Sequence, residues 1–174
     1  MEQPDCGLVL LRLASPQSPM SILQFLKKRF SPLRITDPDF GSLLYMRIPN
    51  APERSYWECE WNFPRTGTVI SISLPGDESG PWEESRQFYF EAVERFDQVL
   101  AAVRPQLEAV FMDWLNQELP EYIFSELKLA GFDLQESRTQ PVKWDISFET
   151  TGKKWLGISI PFEGESPGEA TVDT

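Results

Sequence analysis

The chain has 174 residues, of which 41% are hydrophobic, 13% aromatic and 25% charged. That composition excludes a disordered or low-complexity chain and gives a single globular domain over 1–174. Sixteen Lys and Arg stand against 27 Asp and Glu, a net charge of −11, and there is no His; the first fact argues against a nucleic-acid interface and the second removes Ser-His-Asp and Cys-His catalysis.

The N-terminal section, 6–31, reads as a strand and a short helix. Leu8 to Leu13 is a short aliphatic run, and Ser18-Pro19 caps a segment in which Ile22, Leu23, Phe25, Leu26 and Phe30 share one face before Pro32. Lys27, Lys28 and Arg29 make its other face basic. No run approaches the roughly 20 apolar residues of a membrane span. Glu2 and Asp5 precede the first apolar run where a signal peptide carries positive charge, so the chain reads as cytoplasmic.

Strands are expected over 42–74. Asp37-Pro38-Asp39-Phe40-Gly41 is turn chemistry, and Leu43 to Ile48 after it forms a strand. From Tyr56 to Phe63 the residues alternate, with Trp57, Cys59, Trp61 and Phe63 on one face and Tyr56, Glu58, Glu60 and Asn62 on the other. Pro64-Arg65-Thr66-Gly67 then turns into Thr68–Leu74, which makes an antiparallel hairpin. Cys59 reads as a small buried hydrophobe, and Cys6 and Cys59 as two reduced thiols, with a single disulfide between them as the alternative.

A long helix pair is expected over 81–119. Phe88, Ala92, Phe96, Val99 and Val103 form one stripe, and Leu107, Val110, Phe111, Trp114 and Leu115 continue it beyond Pro105, which either kinks one helix or separates two. Strands return over 124–163: Leu127–Leu129, Phe132–Leu134, Lys143–Phe148 and Lys154–Ile160, with a turn at Thr151-Gly152. The order gives an α+β fold: an antiparallel sheet with the helix pair packed on one face, plus the short N-terminal helix.

The acidic charge is concentrated. Between Asp77 and Glu126 twelve acidic residues face three basic ones, a net −9, so the rest of the chain is nearly balanced at −2. A solvated helix face is the ordinary reading of such a run; the sharper one is a docking surface that steers a basic partner. The residues that would form it are Asp77, Glu78, Trp82, Glu83, Glu84, Glu91, Glu94 and Asp97. Trp82 opens the helix beside two glutamates, either as an interface anchor or as a staple, whereas Trp57, Trp61, Trp114, Trp144 and Trp155 lie on apolar stripes and read as core.

Paired carboxylates such as Glu91 with Glu94, or Glu58 with Glu60, have the residue types of acid-base or metal chemistry. Neither they nor the Gly76-Asp77-Glu78-Ser79-Gly80 loop has a recognisable ligand spacing. No phosphate loop, dinucleotide fingerprint or nucleophile elbow is present. The expectation is therefore no catalytic residue, no metal and no cofactor.

The run Ile70-Ser71-Ile72-Ser73-Leu74-Pro75-Gly76-Asp77-Glu78-Ser79-Gly80-Pro81, the helix pair after it, Trp144-Asp145-Ile146-Ser147-Phe148 and a strand near Gly157 together resemble small bacterial immunity-type proteins. Those proteins accompany polymorphic toxins and secreted effectors, and the likeness covers roughly residues 56 to 172. It implies a non-enzymatic cytoplasmic protein that binds and neutralises a cognate toxin; the acidic charge balance and the lack of a long apolar run argue separately against nucleic acid and membrane as partners. An effector-associated adaptor or chaperone and a carboxylate-based metal-dependent hydrolase are the alternatives. The basic first helix and the acidic pair are also compatible with a homodimer.

Overall fold

The protein is described here by a computed structural model over residues 32–174. The expected N-terminal strand and helix over 6–31 lie outside the described residues. Residues 32–174 form a mixed α/β architecture, with one large sheet and two principal helices.

The strands are β1 (Arg34–Asp37), β2 (Gly41–Met46), β3 (Tyr56–Phe63), β4 (Thr68–Asp77), β5 (Gly80–Pro81), β6 (Leu127–Glu136), β7 (Lys143–Thr150), β8 (Gly157–Glu163), β9 (Ser166–Pro167) and β10 (Thr171–Asp173). Between β5 and β6 run α1 (Glu83–Glu94) and α2 (Phe96–Val110), which continues into one π turn, Phe111–Leu115. The sheet order is β1-β2-β3-β4-β6-β7-β8-β10, with β5 hydrogen-bonded to β4 and β9 to β8.

Every neighbour pair is antiparallel except one. β4 and β6, the strands on either side of the helices in sequence, pair in parallel with Ser71↔Gly131, Ile72↔Phe132 and Ser73↔Asp133. The expected all-antiparallel sheet is thus two antiparallel halves joined along a parallel seam. The reason is geometric: a chain that leaves the end of β4 and returns through two helices over the same face re-enters alongside β4 in the same direction.

The alternation read in the sequence places the core. Trp57, Cys59, Trp61 and Phe63 of β3 are buried together with Ile70, Ile72 and Leu74 of β4, and Trp144, Ile146 and Phe148 of β7 extend that face. The helices cover it with Phe88, Tyr89, Phe96, Val103 and Leu107. Ring contacts tie the two layers: Phe63 meets Phe96 at 4.8 Å and Phe88 meets Trp144 at 5.3 Å, both edge to face, a geometry that the ring quadrupoles favour. The Tyr89 hydroxyl, fully buried, donates to the Ser73 carbonyl, so the helix layer is also hydrogen-bonded to the seam.

Several local expectations shift. The interruption between helices falls at Arg95, and Pro105 sits inside a continuous α2. Leu127–Leu129 and Phe132–Leu134 belong to one strand, with a bulge between Leu129 and Gly131 relative to β7. Trp114 and Trp155, expected in the core, are 44% and 51% exposed. A π turn holds more residues per turn than the helix before it. Phe111 therefore stays buried and Leu115 half-buried while Trp114 rotates outward, and Asn116 ends the turn at φ 53°. Trp155 precedes β8, which begins only at Gly157, and its ring lies over that glycine.

Gly131 is required by the seam. A Cβ there would overlap the Ser71 carbonyl oxygen, closer than backbone atoms tolerate. Gly131→Ala is expected to part β4 from β6 and cost about 2–4 kcal/mol, read as a lower urea midpoint; an unchanged midpoint would show that the seam yields without cost.

Candidate functional site

The β4–β5 hairpin and the start of α1 form one rigid corner. Gly76 pairs with Pro81, and Asp77 with Gly80, leaving Glu78 and Ser79 as the turn. A side chain at Gly76 would overlap the Gly80 carbonyl oxygen, and Gly80 has φ +151°, so both glycines serve the tight return. The Ser79 hydroxyl and amide donate to one Asp77 oxygen, and these bonds hold the Asp77 carboxyl below its ordinary pKa. The Pro75 carbonyl then accepts from the Trp82 amide at 3.0 Å and from the buried Ser85 hydroxyl at 2.8 Å, which fixes where α1 begins.

On α1 the sequence-predicted residues share a side. At 100° per residue, Glu83, Glu84, Glu91 and Glu94 fall within an arc of about 100°, and all four are exposed. Ser85, Phe88, Tyr89 and Ala92, on the opposite side, are buried. Asp97 is exposed at the start of α2. Asp77 and Glu78 stand at the hairpin beyond the other end of α1, so the eight residues form a band along the helix layer rather than a single pocket.

Arginines, some local and some from distant parts of the chain, meet most of this band. Arg47 pairs with Glu78, Arg65 with Asp97, and Arg95 with Glu91 at 3.9 Å and Glu165 at 2.5 Å. The Arg138 guanidinium lies 3.7 Å from the centroid of the Trp82 ring and 3.9 Å from Glu84. Trp82 is therefore half-buried beneath a cation, where its face is attracted to the charge. Glu94 has no ion pair among the described residues. Pairs this exposed contribute about 0–1 kcal/mol each, so their arginines are readily exchanged for other cations.

Arg86 is different. It is 17% exposed, bridges Asp37 and Asp39 of the β1–β2 turn, reaches Glu83 at 3.8 Å, and lies over the Phe40 ring at 5.4 Å. Burial opposes ionisation of Asp37, but the Asp39 amide, the Arg86 guanidinium and the Phe40 amide overcome it, and its pKa is lowered.

The opposite face of the sheet is polar and carries Glu58 and Glu60 on β3, with Asp133 directly across from Asp145. Burial raises the pKa of Asp145, the Gln135 amide opposes that, and the Asp133 charge adds to it. Among the described residues, no three acidic or thiol side chains converge as metal ligands. Cys59 is closed off inside the core, where burial, with the charges of Asp37 and Glu58, pushes its thiol up to about 12.

A second group of exposed side chains was not foreseen. Met112, Trp114, Tyr122 and Trp155 are each between 44% and 70% exposed, and Lys154 joins two of them by donating to the Trp114 carbonyl at 3.0 Å. The missing signal was the π turn, which carries no residue signature of its own; Arg47, Arg65 and Arg138 were hidden as partners because each lies far from its acid in sequence, whereas Arg86 and Arg95 stand at helix spacing from Glu83 and Glu91.

Asp37→Asn removes the charge that Arg86 needs and is expected to cost about 1–3 kcal/mol at neutral pH. The stabilisation from a lowered carboxyl pKa is present above the ordinary value and is lost as pH falls through the folded-state value. The gap in melting temperature between wild type and variant should accordingly close below about pH 4; a gap that is constant with pH would contradict this account. Compared with protein-family models, curated proteins and solved structures, the chain finds no match in any of the three.

Proposed function

We propose that this chain is a cytoplasmic, immunity-type binding protein that neutralises a basic protein partner by occluding it, with Asp77, Glu78, Trp82, Glu83, Glu84, Glu91, Glu94 and Asp97 as contact residues. The observation that carries this reading is the arc of Glu83, Glu84, Glu91 and Glu94 on the exposed side of α1, a helix whose other side is locked into the core. A rigid helix presenting carboxylates on one side gives a partner cation a pre-organised counter-surface, and the field of a chain at −11 favours encounter with it. The weak exposed arginine pairs suit this role, because a partner's Lys or Arg displaces them at little cost.

A second reading, an adaptor or chaperone for a secreted effector, is favoured by one observation. Met112, Trp114, Tyr122 and Trp155 expose large apolar side chains, of the type that anchors protein partners.

Co-expression with the product of the adjoining gene is the direct test. The first reading expects a complex, loss of that protein's toxicity, and binding about 10–100-fold weaker in the quadruple variant Glu83→Lys/Glu84→Lys/Glu91→Lys/Glu94→Lys, with affinity falling as salt rises. Binding that ignores both charge reversal and salt, but falls with Trp114→Ala, selects the adaptor reading.

A further inference from the structure

Trp82, at the turn into α1, already carries a guanidinium, and it comes from its own chain. Arg138, two residues beyond β6, holds that group over the indole at 3.7 Å from the ring centroid and 3.9 Å from a Glu84 oxygen. Asp77 stands beside them. Its carboxyl pKa is lowered chiefly by the Ser79 hydroxyl and amide, and the Trp82 indole and the Arg138 charge add to that.

The acceptors of this corner are under-used. Among the described residues the Arg138 side chain makes no hydrogen bond, and 3.9 Å to Glu84 is an ionic contact without one. Arg138 reaches the indole from a pinned backbone: the buried Ser137 hydroxyl shares a 2.9 Å bond with the buried Ser85 hydroxyl, and the Arg138 amide donates to Glu136 at 2.8 Å. From there the guanidinium covers the ring and stops short of the carboxylate. The Arg138 and Glu84 side chains are 51% and 54% exposed, so rotation of the Arg138 side chain alone uncovers the ring.

We propose that this corner is the arginine-recognition point of the acidic band: an arginine of the basic partner stacks on Trp82 and donates to Glu84 and Asp77, and Arg138 is the internal occupant that it displaces. The inference rests on the immunity-type reading for its partner and on the contact between Arg138 and Trp82 for its chemistry. Arginine is selected over lysine because a planar guanidinium stacks on an indole while its N–H groups point at carboxylates, whereas an ammonium is a strongly hydrated point charge. Arg138 also sets a threshold. An isolated cation meets a tethered competitor at high effective concentration; a partner that engages Glu91 and Glu94 as well brings its own arginine at a comparable one.

The test titrates the full chain with N-acetyl-argininamide and, separately, with N-acetyl-lysinamide, followed by the Trp82 indole N–H resonance and the Asp77 and Glu84 amides. In Arg138→Ala the arginine probe is expected to shift these resonances saturably, with a Kd on the order of 10 mM and about 2–5-fold tighter than in wild type, the worth of one exposed cation–π contact. The lysine probe should bind at least about threefold more weakly, and Trp82→Leu should erase that preference. The proposal is overturned by the lack of a saturable shift below about 100 mM, by equal affinity in wild type and Arg138→Ala, by equal affinity for the two probes, or by a preference that survives Trp82→Leu. Arg138→Gln replaces Arg138→Ala if the latter fails to fold, and the Arg138 comparison decides alone if Trp82→Leu does. A complex with the adjoining gene's product beside a silent probe titration strikes this inference only. A saturable probe titration without that complex strikes the immunity-type reading and leaves the guanidinium site standing.

Discussion

Along the seam, β4 and β6 lie side by side with the Ser71 carbonyl almost touching the Gly131 backbone, and everything else in the described structure hangs from that approach. β1 to β5 belong to one side of it and β6 to β10 to the other. The helices exist in their present place because the chain must travel from the end of one seam strand to the start of the other. Ser73 shows how closely the layers are coupled there. Its hydroxyl donates to Asp133 and receives the Leu134 amide, while its carbonyl accepts the Tyr89 hydroxyl. A single serine thus joins both half-sheets and the helix above them, in a region where an unpaired polar group would cost about 1–3 kcal/mol.

Electrostatics divides by burial. Arg86, enclosed between α1 and the β1–β2 turn, holds structure, because its guanidinium and Asp37 lose most of their hydration and must satisfy each other. The arginines that meet the acidic band keep their water and contribute little to folding. A chain of net −11 can therefore place nearly all its stabilising charge chemistry in one partly buried cluster and leave the helix surface available for other contacts.

The hairpin of β3 and β4 was legible from period-2 alternation, and the register pairs Trp57 with Leu74 and Trp61 with Ile70 on the buried face. The helix stripe was equally plain, since Phe88, Phe96, Val103 and Leu107 follow the 3.6 period and are buried. The parallel seam was not legible, because direction between strands 60 residues apart is set by the path of the crossover, not by any residue pattern. Trp114 misled for a related reason: its stripe is correct for an α-helix, and the π turn changes the period only at the last step. At the candidate site, the acidic band was readable because Glu83, Glu84, Glu91 and Glu94 are local in sequence. Arg86 and Arg95 stand at helix spacing from Glu83 and Glu91, whereas Arg138, which meets Glu84, comes from a segment too distant for any spacing rule to join.

The same seam governs the order in which the molecule is built. Most ladders in each half join strands adjacent in the chain, closed by short turns, so each half-sheet can form at the low entropic cost of local loop closure. The contact between Ser73 and Asp133 closes a loop of 60 residues, and its entropy is recovered only when the aromatic face is covered at the same moment. Among the ladders of the described residues, the seam joins the strands farthest apart in the chain, so it carries the largest loop-closure cost. Without it, β4 and β6 each present an open edge, the kind of edge that invites mispairing with other chains.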